Sequence, residues 1–305
     1  MSSRCIKLRI KLCTWVLRFA GWLQSGDMRR NKPKTELMKG EMLTHYFAKT
    51  YLPKINTIEK QEITTETPET IWQFWDNPAG RTTPEIVKTC LATTEQYKGN
   101  FNHVVLNNAT MEHYTDLPDF VMDKFRKGRI DYTHFSDLLR LNLLKNHGGI
   151  WLDATAYMTN FTPKEITNQD FFVFLTGKKT GFPYSYMQNC FIRAKKGSAL
   201  CAMWYALCLE LWKNETKYLD YFQHQLLFRV LVEHNPDAKK LFARMPHVSE
   251  DEIHGLVGEK LFSTFDTEEW EKIKRQSFFQ KTTYKVPGGT DISGTYFQKL
   301  DEGNL

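Results

Sequence analysis

The segment FSDLLRLNLLKNHGGIWLDAT, in the middle of the chain, constrains the fold more than any other stretch. Apolar residues recur at helical spacing over 132–146 and predict a helix. Gly148 and Gly149 follow, and glycines in that position end a helix by adopting left-handed conformations. The next run, 150–153, is an apolar strand that ends in the acid Asp153. A helix that turns directly into a buried strand predicts a sheet covered by helices.

The same alternation of strands and helices surrounds this segment. The first strand, IWQFW, stops at Asp76, Asn77 and Pro78. Strands are predicted at 71–75, 103–106, 150–153, 171–176 and 190–193, and helices after Pro84 and at 36–51, 119–127, 132–146, 198–211 and 219–232. Over 71–153 the alternation predicts a parallel sheet of the nucleotide-binding type, so the expected fold class is α/β.

Composition excludes several classes of protein. The chain has 305 residues, 41% of them hydrophobic, which is enough for a substantial core and excludes wholesale disorder. The net charge of +6 is concentrated, because residues 1–34 carry +8 and the remainder −2. A nearly neutral body excludes a general nucleic-acid-binding surface. The six cysteines show neither a CxxC pair nor zinc-finger spacing, which favours a reduced, cytosolic compartment.

The N-terminal segment 5–23, CIKLRIKLCTWVLRFAGWL, has the length of a membrane span, but its basic residues argue against a spanning helix or a signal peptide. On a helix Lys7, Lys11 and Arg18 share a narrow arc, and Arg9 lies on the other side. A basic, Trp-bearing amphipathic helix is typical of a segment on an anionic membrane surface. The alternative is a helix docked on the protein's own body. We expect a peripheral location on the cytoplasmic, inner face of the cell membrane.

Two polar features indicate a ligand site. Asp153 ends a strand, and ligands of open α/β sheets bind outside the carboxyl ends of strands. A carboxylate there can bind a ribose hydroxyl or help to hold a divalent cation, whereas the alternative is an acid that caps the next turn. Asp137 and Arg140 share a face of the preceding helix. If that face is buried, the two charges either form a structural ion pair or contact a polar ligand.

The span 71–159 resembles the capsular polysaccharide synthesis glycosyltransferases. That family is related to bacterial and yeast sugar transferases with a DxD motif, including the glucosylating clostridial toxins. The resemblance rests on IWQFW and on FSDLLRLNLLKNHGGIWLDAT, which is similar to the family signature SDxxRxxxLxxxGGxxxDxx. Weaker similarity in NCFIRAKKG and YLDYFQHQLLF extends the likeness over most of 70–285. It implies a GT-A-like nucleotide-sugar-binding mixed sheet flanked by helices, with the amphipathic N-terminal segment outside it.

The resemblance also implies roles for single residues. Trp75 would stack on the nucleotide base, although its apolar strand leaves a role in the core open. Asp137 and Arg140 would hold hydroxyls of the donor sugar, with Arg140 also close to the diphosphate. Asp153 matches the first acid of the DxD motif, which contacts the ribose and the metal. Asp137, Arg140 and Asp153 are therefore the predicted catalytic residues.

The motif departs from DxD at Thr155, where many relatives carry a second Asp. A neutral hydroxyl is a poor ligand for a hard cation. Either Asp153, the diphosphate and another residue hold the metal, or metal dependence is weakened. The predicted metal ligands are Asp153, Thr155 and His224, and the predicted cation is Mn²⁺ or Mg²⁺. For His224, on an apolar helix, a role in the core is the alternative.

Two further residues complete the predicted donor-binding site. Asn189 precedes a strand at the edge of that site, and Lys285 lies with Lys281 in QKTTYKVPGG. In this region related enzymes close a loop over the diphosphate. A solvated cluster of charges is the alternative for the two lysines.

The expected function is transfer of a sugar by a bacterial-type glycosyltransferase. The donor would be a nucleotide-diphosphate sugar, with a UDP-sugar as first choice, and the acceptor a lipid-linked surface or capsular polysaccharide. The resemblance implies retention of the anomeric configuration. The alternative, supported by Thr155, is a catalytically silent nucleotide-sugar-binding scaffold in a membrane-associated assembly. A sugar phosphotransferase is disfavoured because the sequence lacks a Gly-rich phosphate loop with a Lys.

The predicted organisation has four parts. A basic amphipathic segment that binds an anionic membrane surface occupies 1–34, and a helical linker segment occupies 35–68. The GT-A-like glycosyltransferase domain spans 69–290. A C-terminal tail occupies 291–305.

Overall fold

A computed structural model describes residues 2–27, 29, 31–55, 62–64, 68–77, 80–178 and 183–305. Much of the predicted polar linker, at 56–61 and 65–67, lies outside the described residues. The same holds for Pro78, the predicted stop of the first strand.

A five-stranded mixed sheet lies at the centre of the fold. The described strands are β1 (Thr70–Phe74), β2 (Asn102–Leu106), β3 (Gly149–Leu152), β4 (Ala156–Met158), β5 (Phe171–Leu175), β6 (Met187–Ala194) and β7 (Phe279–Lys281). The order is β2–β1–β3–β6–β5, with β1 parallel to both β2 and β3, and β6 antiparallel to β3 and β5. The parallel unit predicted over 71–153 is confirmed, and the complete sheet is mixed. Antiparallel β4 and β7 form a second, two-stranded sheet.

Helices flank the sheet, which confirms the predicted α/β class. They are α1 (Ser3–Ser25), α2 (Lys32–Thr50), α3 (Glu85–Tyr97), α4 (Asp119–Arg126), α5 (Tyr132–His147), α6 (Lys164–Thr167), α7 (Ala199–Asn214), α8 (Gln223–His234), α9 (Pro236–Phe242), α10 (Thr267–Gln276) and α11 (Tyr296–Asp301). α8 begins later than the predicted residue 219. The reason is a turn before it, in which the Asp220 carboxylate accepts a hydrogen bond from the Phe222 N–H at 2.7 Å. None of the described helices is long and apolar enough to cross a membrane.

The double glycine turn joins α5 to β3. Gly148 has φ 71° and Gly149 has φ 102°, a region of backbone conformation that side chains strongly disfavour. The β-carbon of an alanine at 149 would lie 2.1 Å from the carbonyl oxygen of Thr70 in β1. Glycine is therefore required here both for the turn and for the close approach of two neighbouring strands.

The hydrophobic clusters of the fold extend beyond the predicted domain limits at both ends. Leu43, Tyr46 and Phe47 of α2 are buried in the same cluster as the central sheet, so the predicted limit at 68 does not separate two cores. Residues 291–305 contain α11, which packs against α3. Phe297 of α11 belongs to a second buried cluster together with Cys90 of α3. The predicted tail is therefore an integral part of the fold.

Candidate functional site

The carboxyl ends of β1, β2 and β3 meet at one edge of the sheet, because these three strands are parallel. Trp75 and Asp76 follow β1, and Asp153 follows β3. The side chain of Gln73 links the two strand ends by donating from Nε2 to the Asp153 carbonyl at 3.3 Å. The structure thus brings two predicted site residues, Trp75 and Asp153, to the same edge.

The Asp153 carboxylate is fixed in orientation and partly accessible. Trp151 Nε1 donates to its Oδ1 at 3.0 Å, and Arg140 Nη1 lies 3.8 Å from the same oxygen. Its side chain is 27% exposed. The turn that follows closes through the backbone, since the Ala156 N–H donates to the Asp153 carbonyl at 2.9 Å. The carboxylate is therefore not used to cap that turn and faces the edge of the sheet.

Asp137 and Arg140 form a buried ion pair on α5, with Arg140 Nη2 3.2 Å from Asp137 Oδ1. Burial raises the pKa of the Asp137 carboxyl, and the Arg140 guanidinium opposes that shift. Asn189 on β6 joins the pair, because its Nδ2 donates to Asp137 at 2.9 Å and its carbonyl accepts from Arg140. Ser136 accepts two further bonds from Arg140, at its carbonyl and its hydroxyl, both at 3.0 Å.

Arg140 connects this buried pair to the accessible carboxylate of Asp153. Its guanidinium lies over the Trp151 ring, 4.9 Å from the ring centroid. The buried Asp137–Arg140 ion pair and the accessible Asp153 carboxylate are therefore parts of one network. The structure brings together four predicted site residues: Asp137, Arg140, Asp153 and Asn189.

Thr155 faces a lysine that comes from the other end of the chain. Antiparallel pairing of β4 with β7 places Lys281 opposite Ala156. Lys281 Nζ donates to Thr155 Oγ1 at 2.5 Å and to the Thr282 carbonyl at 2.9 Å. The same ammonium lies 4.0 Å from Asp153 Oδ2. A fixed positive charge therefore lies between the two motif positions that were predicted to hold a cation.

These side chains do not fit a divalent cation. Mg²⁺ and Mn²⁺ require several oxygen ligands, whereas Asp153 is the one carboxylate of this set and Thr155 is bonded to an ammonium. Within the part of the chain that the structure describes, no three His, Cys, Asp or Glu side chains form a group that could hold a metal. The structure does not assemble the predicted set of Asp153, Thr155 and His224.

His224 lies in the core on α8. Its ring packs on Trp204 with 4.2 Å between ring centroids, and its Nδ1 lies 3.6 Å from the Cys208 sulfur. Burial lowers the pKa of this imidazole well below its ordinary value, so the ring is neutral. Asp137 and His224 both line a small internal cavity of about 10 Å³. His224 therefore lies in the core, on the same small cavity as Asp137, and apart from the accessible edge.

Trp75 pairs with an aromatic residue that the sequence did not single out. Its ring meets Tyr284 edge-on at 5.1 Å, and Tyr284 is 40% exposed. Lys285 Nζ lies 5.8 Å from the Tyr284 ring centroid. The half-buried Trp75 and Tyr284 form an aromatic surface beside the strand ends. Tyr284 stands in QKTTYKVPGG, but its contact with Trp75 depends on distant pairing that local patterns do not encode.

A second polar group extends the edge toward β2. The Asp76 carboxylate accepts from Asn108 Nδ2 at 2.7 Å and from the Tyr132 hydroxyl at 3.0 Å. Asn108 follows β2 and Tyr132 opens α5. The sequence analysis treated Asp76 only as a strand stop. Its position directly after Trp75, at a parallel strand end, is the signal that could have identified it.

Comparisons with known proteins agree with the resemblance. The family described as capsular polysaccharide synthesis protein matches residues 27–300. O-glycosyltransferase braB of Annulohypoxylon truncatum is 24% identical over 173 residues, 52% of this chain and 41% of that protein. Glycosyltransferase afumC of Aspergillus fumigatus is 23% identical over 180 residues, 54% of this chain and 46% of that protein. The matches thus span less than half the length of these two relatives.

Two solved structures are similar in part. The PaToxG glycosyltransferase has a TM-score of 0.41 at 14% identity and covers 82% of this chain and 97% of its own. A glycosyltransferase involved in glycosylation of the major capsid of PBCV-1 has a TM-score of 0.39 at 9% identity. It covers 78% of this chain and 100% of its own.

Proposed function

Because the chain belongs to the capsular polysaccharide synthesis protein family, we propose that it transfers a sugar from a nucleotide-diphosphate sugar to a glycan acceptor. The observation that carries this proposal is the accessible Asp153 carboxylate at the carboxyl edge of the sheet, oriented by Trp151 and Arg140. The names of the curated relatives support the same class of reaction.

The edge offers complementary groups for each part of such a donor. The aromatic surface of Trp75 and Tyr284 suits a flat base, since base–aromatic stacking is favourable for any base. Asp153 can accept hydrogen bonds from ribose or sugar hydroxyls. The Lys281 ammonium beside Asp153 can bind the diphosphate. UDP-sugars are the first donors to test, on the strength of the resemblance.

The chemistry needs positioning and electrostatic stabilisation. The bond from the anomeric carbon to the diphosphate oxygen breaks, and the acceptor hydroxyl oxygen forms the new bond. The nucleoside diphosphate leaves with the electron pair, and the hydroxyl proton is released to it or to water. Lys281 stabilises the charge that develops on the leaving group, while Asp153 holds the hydroxyls that fix the sugar. Retention of configuration and a lipid-linked capsular acceptor follow from the resemblance and complete the proposal.

A catalytically silent nucleotide-sugar-binding scaffold is the second candidate. The observation that favours it is the second motif position, where Thr155 stands in place of an acid and accepts a hydrogen bond from Lys281. The two candidates differ in one measurable property. The scaffold binds the donor and releases it unchanged, whereas the transferase also hydrolyses or transfers the sugar.

The test is a panel of nucleotide sugars incubated with the full chain, with release of nucleoside diphosphate followed by mass spectrometry. We expect turnover of one donor, and Asp153→Asn to lower it at least about a hundredfold by removing a charged contact to the reacting sugar. Asp170→Asn, at an exposed ion pair with Lys195, is the matched control and should keep full turnover. Turnover that survives Asp153→Asn contradicts the assigned site, and donor binding without turnover favours the scaffold.

A further inference from the structure

The hydrogen bonds of the Lys281 ammonium leave one of its N–H groups available to a ligand. Lys281 is held by two acceptors, Thr155 Oγ1 and the Thr282 carbonyl. An ammonium has three N–H groups, and among the described residues the third has no acceptor within hydrogen-bonding distance. Asp153 Oδ2, at 4.0 Å, lies close enough for an ion pair but is too far for a hydrogen bond. One N–H is therefore available to a ligand beside Asp153.

The surroundings keep this charge fixed and partly shielded from water. The Lys281 side chain is 24% exposed and the Asp153 side chain 27%. β7 is anchored to β4, and the Thr282 N–H and hydroxyl both bind the Thr155 carbonyl, at 2.9 and 2.8 Å. A charge fixed in a half-buried site interacts more strongly with a phosphate than a mobile surface lysine does. The pairing of the strands thus preorganises the ammonium.

We propose that Lys281 binds the diphosphate of the donor in place of a divalent cation, so that this chain binds nucleoside diphosphates without metal. The replacement of the second acid by Thr155 fits this role, because the hydroxyl accepts a hydrogen bond from the ammonium and adds no charge that would neutralise it. Asp153 keeps its contact to hydroxyls, and Lys281 supplies the positive charge. The inference rests on the proposed function, since a diphosphate donor is its premise.

The test measures binding of UDP and GDP to the full chain by calorimetry, in EDTA and in Mn²⁺, with the free nucleosides as probes that lack the diphosphate. We expect affinity in EDTA to equal that in Mn²⁺ within about twofold. Lys281→Ala should lose at least about tenfold in EDTA, which is the size of one charge-assisted hydrogen bond. Lys127→Ala, which removes a lysine paired with Asp123 on the surface of α4, is the matched control and should bind as the parent.

A double variant tests the replacement directly. Thr155→Asp combined with Lys281→Ala restores two acids and removes the ammonium, so its binding should become dependent on Mn²⁺. Binding by the parent chain only in Mn²⁺, or unchanged binding by Lys281→Ala in EDTA, overturns the inference and the role of Lys281. Donor turnover that depends on Asp153 would still support sugar transfer. Absence of binding by every nucleoside diphosphate, with and without metal, overturns both the inference and the proposed function. Circular dichroism of each variant checks that it is folded.

A second inference comes from the surface of α1. At 100° per residue this helix has three faces. Ile6, Ile10, Cys13 and Leu17 form the least exposed one, and the helix packs against α2. Asn31 Nδ2 fixes this arrangement by donating to the Leu17 carbonyl at 2.9 Å. The alternative of a helix docked on the protein's own body therefore describes one face of α1 only.

The second face of α1 is apolar and exposed. Its large side chains are Leu8, Leu12, Trp15, Val16, Phe19, Trp22 and Leu23, with exposures from 39% for Phe19 to 70% for Leu8. The rings of Trp15 and Phe19 stack at 5.3 Å and those of Phe19 and Trp22 at 5.7 Å. A continuous apolar stripe of this kind on a soluble surface marks an interaction site.

Basic side chains lie along both borders of this apolar face. Lys7, Lys11 and Arg18 lie along one border, and Arg9, which appeared misplaced on a two-sided helix, lies along the other. All four side chains are exposed. Lys11 and Arg18 also line a cleft of about 380 Å³ between α1 and α2, together with Lys39 and Glu36.

We infer that the apolar face of α1 docks on an anionic lipid bilayer, with its axis in the plane of the membrane. The two basic borders match the phosphates on either side of a helix embedded at headgroup depth, and aromatic side chains favour that interface. Charge complementarity selects this occupant over a second copy of the chain, because two such faces would bring their basic borders together. This inference does not depend on the proposed function.

The test is flotation of the full chain with vesicles of phosphatidylcholine alone or mixed with an equal part of phosphatidylserine. We expect binding only to the mixed vesicles, and weaker binding as salt is raised. Trp15→Ser with Phe19→Ser should abolish binding, and Lys11→Glu with Arg18→Glu should reduce it at least about thirtyfold. Val257→Ser, at an exposed apolar residue outside α1, is the control. Equal binding to both kinds of vesicle, or a dimer in light scattering that the Trp15 and Phe19 changes dissolve, overturns the inference.

Discussion

At the scale of single residues, the guanidinium of Arg140 lies within ion-pair distance of two carboxylates. Arg140 pairs with Asp137 inside the protein and lies 3.8 Å from the accessible Asp153. The sequence predicted the helix that carries Asp137 and Arg140 and the strand that Asp153 follows, because helical spacing and a strand end are local signals. It could not identify Lys281 as the neighbour of Thr155, since that contact joins positions 126 residues apart.

Removing the Arg140 side chain should leave the buried Asp137 carboxylate without its cationic partner. We expect Arg140→Met to lower the free energy of unfolding by about 3–5 kcal/mol, and addition of Asp137→Asn to recover most of it. This loss of stability should become smaller as pH falls. Burial raises the pKa of Asp137, and protonation removes the charge of its unpaired carboxylate. Urea denaturation at several pH values measures this. Arg126→Met, at an exposed pair with Glu112, should change little, and an equal loss there contradicts the argument.

His224 should make the fold sensitive to acid. Its pKa in the folded state lies well below the ordinary 6.5, so below that pH the unfolded chain binds a proton that the folded chain does not. The free energy of unfolding therefore falls as pH drops through 6.5, by up to about 1.4 kcal/mol per pH unit. His224→Leu should flatten this dependence, as measured by urea denaturation between neutral and mildly acidic pH. An unchanged slope rules out a buried neutral imidazole.

At the scale of elements, local patterns predicted the strands of the central sheet and most of the helices around it, but not β4, α6, α9, α10 or α11. Long-range contacts determine how the elements are arranged. Apolar periodicity predicted α5 and β3, and the glycines between them predicted the turn. The pattern carried no information on β7, a three-residue strand that pairs with β4. It also could not show that α2 shares the central core, because its burial depends on contacts with α8.

The turn between α5 and β3 offers a matched pair of substitutions. Gly149 and Gly128 both have positive φ, 102° and 63°, but a β-carbon meets the Thr70 carbonyl at 2.1 Å only at 149, while at 128 nothing lies within 4 Å. Gly128→Ala should cost about 1–2 kcal/mol of conformational strain. Gly149→Ala should cost at least twice as much, because β1 and β3 must also separate. Equal losses in urea denaturation show that the close approach of strands has no role.

At the scale of the whole molecule, the candidate site lies where two hydrophobic clusters meet. Leu152, at the end of β3, belongs to the large cluster, whereas Ala154 belongs to the second one and the half-buried Trp75 packs against it. Lys281 and Tyr284 reach the same edge from the C-terminal region. The charge of the molecule is divided as well, since the basic segment 1–34 lies apart in sequence from a nearly neutral body.

A ligand that bridges the two clusters should therefore protect distant segments together. We expect UDP or GDP, whichever binds, to slow amide hydrogen exchange both at 73–77 and at 279–285, because the base would contact Trp75 and Tyr284 while the diphosphate contacts Lys281. Exchange measured by mass spectrometry on the full chain reports both segments in one experiment. The free nucleoside should protect less, and residues 236–242 in α9 serve as an internal reference that should not change. Protection of one segment without the other shows that the two sides of the edge do not form a single site.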